Sequence, residues 1–171
     1  MKSVNLFLKS MLIIMVTLFF VPSAYASYRS SVYTPNNSRV RVIVVTSEFS
    51  PSEIERQNIY WSRAYPQAVL IGDASKKYNC HSYAWYSMEP TNVWINSPND
   101  DIYMNDGSYR QISGPLQKGV RFSYRSGIDH SAVGDDSTYL TSKWGQGPVM
   151  RHKPDYCPYV RRSYNYTLYA R

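Results

Sequence analysis

The first pattern along the chain is a block, not a period. Met11 to Val21 (MLIIMVTLFFV) carries no charge, and the stretch before it has Lys2 and Lys9 as its charges. Pro22 ends the run, and Ala24-Tyr25-Ala26 puts small residues at the two positions a signal peptidase reads. A basic start, a short apolar core and an A-x-A site predict a cleavable signal peptide over 1–26. The run is shorter than the about 20 apolar residues that a permanent span needs.

Downstream the pattern is that of one small domain. Ser27 to Ser38 is polar, with Pro35 and Asn36-Asn37, and reads as a flexible leader over 27–38. Arg39 to Thr46 (RVRVIVVT) is β-branched and partly alternating, which predicts a strand. Ser50, Pro51 and Glu53 supply an N-cap, a first-turn proline and a capping box, so a helix runs to about Ala64 before Pro66. Ala68 to Ile71 is a short apolar piece. Asn79 is a second N-cap candidate, and Cys80 to Met88 (CHSYAWYSM) meets no breaker until Pro90. Asn92 to Gly107, rich in Asn, Asp and Pro, reads as a long ordered loop anchored by Trp94.

From there the chain is strand-like, with a period of two at Val120, Phe122 and Tyr124 and again over Ser163–Ala170. Gly119–Ser126, His130–Gly134, Thr138–Trp144, Val149–Lys153 and Ser163–Ala170 each read as strands, with a turn at Asp135-Asp136. Helices first and an antiparallel meander after them predict an α+β domain over 39–171, its helices packed on a sheet of about five to six strands.

Composition alters this picture little. The net charge is +7, and Lys2 and Lys9 leave with the signal peptide. A moderately basic exported protein is drawn to anionic surfaces such as cell-wall polymers or lipid headgroups, unless the charge serves solubility alone. Arg39 and Arg41, Lys76 and Lys77, and Arg161 and Arg162 are scattered pairs, so nucleic acid is not an expected partner. The 17 tyrosines fit half-buried strands. No later stretch is apolar enough to span a membrane. The expectation is a monomer, secreted or held in the periplasm or cell envelope.

The chemistry centres on Cys80. A thiol near a helix start is favoured as thiolate by the unpaired N–H groups there. His130, on a strand after Asp129, supplies a base on a rigid mount. A third polar group would fix its tautomer, and Ser142 and His152 are the candidates, with His152 preferred. The rival for Cys80 is Cys157, because two cysteines in an exported chain suggest a disulfide. Zinc held by Cys80, His81, His130 and His152 lacks any trusted ligand spacing, since residues 80 and 81 point about 100° apart on a helix. No metal and no cofactor are expected.

The boxes Tyr78-Asn79-Cys80-His81-Ser82-Tyr83-Ala84-Trp85, Asp129-His130-Ser131-Ala132-Val133, Ser142-Lys143-Trp144-Gly145 and Arg151-His152 resemble the papain-like cell-wall amidases and peptidases of the NlpC and CHAP kind. The likeness is to an amidase-like branch with a Y-N-C-H-S-Y-A-W box, and it covers about Ser50 to the C-terminus. It implies a papain-like catalytic domain with Cys80 as nucleophile and His130 as base. The third position falls at Ser142 by spacing, with His152 still open. Asn79 and His81 are candidate oxyanion donors beside the Cys80 backbone N–H, and Trp144 is a candidate substrate contact. The implied function is a secreted cysteine hydrolase that cleaves amide or peptide bonds, most typically in peptidoglycan. The alternatives are an effector-type deamidase or acyltransferase acting on another protein, and a non-catalytic wall-associated protein that keeps the fold.

Overall fold

The computed structural model describes residues 26–125, 129–160 and 164–171. Apart from Ala26, the expected signal peptide lies outside them. The fold is α+β, with two antiparallel sheets. A three-stranded sheet runs β1–β2–β4, where β1 is Ser27–Tyr33, β2 is Arg39–Val45 and β4 is Val93–Trp94. A seven-stranded sheet runs β3–β9–β8–β7–β6–β10–β5. Its members in chain order are β3 Val69–Gly72, β5 Arg110–Ile112, β6 Arg121–Tyr124, β7 His130–Gly134, β8 Leu140–Lys143, β9 Val149–His152 and β10 Tyr166–Ala170.

Helix α1, Pro51–Ala64, starts as the local sequence dictates. The Ser50 side chain accepts from the Glu53 N–H, and the Glu53 carboxylate takes the Ser50 N–H in return. No α1 residue is fully buried, but Trp61 packs on the large sheet, joined by Tyr65 just past the helix end. The second helical piece is shorter than expected. One α-turn at Cys80 and His81 passes into the π-helical α2, Ser82–Tyr86, which ends when the Ser87 N–H bonds the Ser82 carbonyl. The domain therefore has one long helix rather than several.

Three other expectations change. The segment read as a flexible leader forms β1, paired with β2 along its whole length. Polar composition does not prevent this, because β1 lies outside the core and only Val32 packs against it, while Val40, Val42 and Val44 of β2 point inward. The 92–107 segment contains β4, a 3₁₀ turn at Asn99–Asp101 and the short helix α3, Ile102–Asn105. Its anchors are Ile95 and Tyr103, not Trp94. Trp94 pairs with Ile43 on the outer face, and strand alternation sends Val93 and Ile95 inward. Finally, the large sheet has seven strands instead of five to six. Its edge strand β5 is short and polar and gave no period in the sequence.

Both faces of the large sheet are covered. On one, Tyr83, Ala84 and Trp85 of α2 join the inner valines of β2 with Val133, Val149 and Tyr169. On the other, Phe122, Ala132, Leu140, Met150 and Leu168 meet Trp61, Tyr65 and the segment around Tyr156 to Val160. Each buried large side chain contributes on the order of 2 kcal/mol. The Cys80 turn therefore rests against a sheet that is packed on both sides. Among the described residues no helix is long and apolar enough to cross a membrane.

Candidate active site

Cys80 opens the turn that leads into α2, and Asn79 fixes that turn. Its side-chain oxygen accepts from the Ser82 N–H at 3.1 Å and from the Ile95 N–H at 3.3 Å. Its amide donates to the Ile95 carbonyl at 2.6 Å. The asparagine thus braces the helix start against the 92–107 segment. With its amide committed to Ile95, Asn79 is not placed as the oxyanion donor that the sequence suggested.

Strand alternation sorts the rest of the site onto two faces. On β7, Ser131 and Val133 face α2, while His130, Ala132 and Gly134 face the other way. Ser131 Oγ accepts from the Trp85 indole N–H at 2.9 Å and lies 3.0 Å from His81 Nδ1. Gly134 pairs with Leu140, and Leu140 with His152, so His130, Ser142 and His152 share the face away from α2. Cys80 therefore has one imidazole from its own turn and another from the start of a strand.

The electrostatics follow from that placement. Burial pushes the Cys80 thiol up, but His81 and then His130 outweigh it and hold the thiol well below its ordinary range. Burial works against a charged His81 as well. The thiolate and Asp100 reverse this and raise His81 well above an ordinary histidine. Burial raises Asp100, and its bond to His81 brings it below the usual carboxylate range. The His81 Nδ1 to Asp100 Oδ2 distance is 3.2 Å, and the Ser97 hydroxyl donates to Asp100 Oδ1 at 2.8 Å. Ser97 also lies against the Asp129 carboxylate.

His130 is fully buried and stacked on Tyr159, with ring centroids 3.8 Å apart and an interplanar angle of 15°. Neither ring nitrogen meets a partner at hydrogen-bonding geometry. The ring is still close enough to help lower the thiol. His130 thus lowers the thiol through its charge and through a side-chain hydrogen-bond contact of imperfect geometry.

Ser142 and His152 bond each other, not His130. Trp144 Nε1 donates to Ser142 Oγ at 3.0 Å, Ser142 meets His152 Nε2 at 2.8 Å, and His152 Nδ1 meets the Lys153 carbonyl at 2.8 Å. A carbonyl can only accept, so Nδ1 carries the proton and Nε2 accepts from the serine. Both His152 nitrogens are then committed, and burial lowers its pKa to about 4. The preferred third member therefore orients nothing at His130. Trp144 is a core residue, 1 % exposed, packed edge-on against Trp61 and Tyr65, and so is not placed to meet substrate.

Asp100 is the site residue that the sequence did not single out. The available signal was an acid within the segment from Asn92 to Gly107, read as a long ordered loop. Cys157 is a free, buried thiol 3.9 Å from the Tyr124 hydroxyl, and Cys80 is likewise free. His81, Asp100 and Asp129 bring one ligand atom each within 4.8 Å of one another. With His81 Nδ1 facing Asp100 and Ser131, and Ser97 between the carboxylates, the group reads as a hydrogen-bonded ion pair with an acidic neighbour. Open clefts lie elsewhere. One of about 560 Å³ is lined by Arg29, Arg39, Arg41 and Trp94, and one of about 850 Å³ by Glu48, Tyr78 and Tyr83. The chemistry, not these openings, locates the site. The arrangement can hold a thiolate nucleophile beside two imidazoles able to carry a proton or its charge.

Comparison with family models, curated proteins and solved structures finds no match for the chain.

Proposed function

We propose that the chain is an exported cysteine hydrolase that cleaves amide or peptide bonds by acyl transfer, with peptidoglycan as its substrate class. The observation that carries this reading is the placement of the buried Cys80 at the start of a helical turn, next to His81 and within reach of His130, whose charges favour its thiolate. The finer fold reading is papain-like, with the thiol on a helical turn and the base at the start of a sheet strand. Export rests on the signal-peptide pattern of residues 1–26. An anionic envelope as partner is supported by the outer face of the small sheet, where Arg29, Arg39 and Arg41 line one cleft with Trp94.

In the reaction, the thiol proton passes to His130 and the Cys80 thiolate attacks the amide carbonyl. The carbonyl electrons move onto oxygen, where the Cys80 backbone N–H is the nearest donor by position. As the tetrahedral intermediate collapses, the C–N bond breaks and His130 gives its proton to the leaving amine. Water then attacks the thioester, His130 takes the water's proton, and the thiolate departs. Access requires Tyr159 to move, because His130 is fully buried under it.

The test compares mature protein with its Cys80→Ala form on purified peptidoglycan, with released fragments analysed by mass. Fragments from the wild type alone are expected. Equal release from both forms would falsify the cysteine-hydrolase reading.

A further inference from the structure

The pair His81–Asp100 is more built than a neighbour of the nucleophile needs. Both residues are buried, at 5 % and 3 % exposure, and their side chains face each other across the two ends of an internal brace. Asn79 ties the Cys80 turn to Ile95, and five residues on the same segment presents Asp100. Each partner is held from a second side. Ser131, itself fixed by the Trp85 indole, meets His81 Nδ1, and Ser97 donates to Asp100. Nδ1 is therefore committed, and Nε2 is the nitrogen left for the adjacent thiol. On the opposite side, the two residues expected to serve His130 are committed to each other.

We propose that Asp100 is a positioning residue that keeps His81 in place as a standing imidazolium beside Cys80, so that His81 balances the thiolate charge while His130 alone carries protons. This deepens the cysteine-hydrolase reading and rests on it. The division of labour closes over the cycle. His81 takes a proton from solvent once and retains it. The thiol proton goes to His130, then to the leaving amine, and water's proton restores His130. When the thioester is hydrolysed, the departing sulfur regains its negative charge next to a cation that is already there, which lowers the cost of its departure.

The groups facing the pair are consistent with a fixed charge. Cys80, Asp100 and Asp101 all bear on His81, and Asp129 stands beyond Ser97. Lys143, on the α2 face of β8, feels the Cys80 charge from further off. The Asp100 contribution favours the charged imidazole.

The experiment measures the rate of Cys80 alkylation by iodoacetamide between pH 4 and 9, in full-length mature protein with Cys157 replaced by Ser. Thiolate absorbance at 240 nm is the second readout. Wild type, Asp100→Asn, Asp100→Glu and His130→Ala are compared, and each is checked for folding by circular dichroism. Asp100→Asn is expected to slow alkylation at pH 6 by about tenfold, one decade in thiolate fraction. Asp100→Glu should restore part of that loss. His130→Ala should abolish peptidoglycan cleavage while keeping most of the acid-side alkylation. A folded Asp100→Asn protein with the wild-type pH profile overturns the proposal and leaves the hydrolase reading standing. If Asp100→Asn does not fold, His81→Gln serves in its place with the same two outcomes. A wild-type thiol that reacts only on the alkaline side of pH 8 overturns both.

Discussion

At Ser142 and His152, hydrogen-bond accounting decides between a catalytic and a structural role. The run from the Trp144 indole through Ser142 and His152 to the Lys153 carbonyl gives every member a partner. A histidine with both nitrogens committed cannot also orient His130. Replacing His152 with Leu would leave the buried Ser142 O–H without an acceptor, while Ser142 Oγ keeps the Trp144 indole and the Lys153 carbonyl keeps the Tyr156 N–H. A buried donor orphaned in this way costs about 1–3 kcal/mol. The expected outcome is a lower urea midpoint, with Cys80 alkylation at pH 6 as in the wild type. Loss of that alkylation in a folded variant would return His152 to the catalytic set. The same accounting ties His130 to neither Ser142 nor His152, and leaves Cys80 as the group it acts on.

Among the elements, the segment after β9 places Tyr159 over His130. Tyr159 stacks on His130, and its hydroxyl lies 3.3 Å from where a side chain at Gly145 would begin, in the β8–β9 turn. Gly145 has a φ of +59°, so the turn favours glycine and also leaves room for the tyrosine. Tyr159→Ala should uncover the thiol without changing the charges that lower it. Its alkylation is expected to be faster at every pH, with an unshifted pH midpoint, and a midpoint displaced upward would mean that Tyr159 does more than cover. Elements with strong local signals were legible in the sequence. The capping box around Ser50 and Glu53 fixed α1, and alternation marked β6 and β10, with β7, β8 and β9 read as short strands between them. The start of α2 was legible through Asn79, but its π-helical course and early end were not, since they come from packing Tyr83, Ala84 and Trp85 against two sheets. Strand β1 carries almost no core residue, so its pairing with β2 left no hydrophobic pattern to read. Asp100 escaped notice for a related reason. Its partner is distant in the chain, and only the Asn79–Ile95 brace brings the two segments together.

For the whole molecule, burying basic side chains on both faces of one sheet makes stability depend on pH. His152 lies on one face, with its pKa lowered from 6.5 to about 4. Lys143 lies on the other, bonded to the carbonyls of Ser75, Gly145 and Gly147, and burial lowers it from 10.5 to about 7. Both folded values are depressed, so the signs agree. Between the folded and unfolded values the unfolded chain binds a proton that the folded chain does not, and acid favours unfolding. The His152 contribution is complete above about pH 6.5 and is lost as the pH falls through 4, on the order of 3 kcal/mol. The Lys143 contribution is complete above about pH 10.5 and is lost as the pH falls through 7, again a few kcal/mol. The His81 imidazolium works in the opposite sense, since its raised value gives stability below the ordinary histidine range that is lost on the alkaline side. Urea midpoints measured from pH 4 to 10 should therefore fall steeply between 6.5 and 4. That acid limb should flatten in His152→Leu and persist in Lys143→Met, while the slope between 7 and 10 should flatten in Lys143→Met alone. An acid limb of equal steepness in all three proteins would mean that His152 is not the buried neutral group its hydrogen bonds imply.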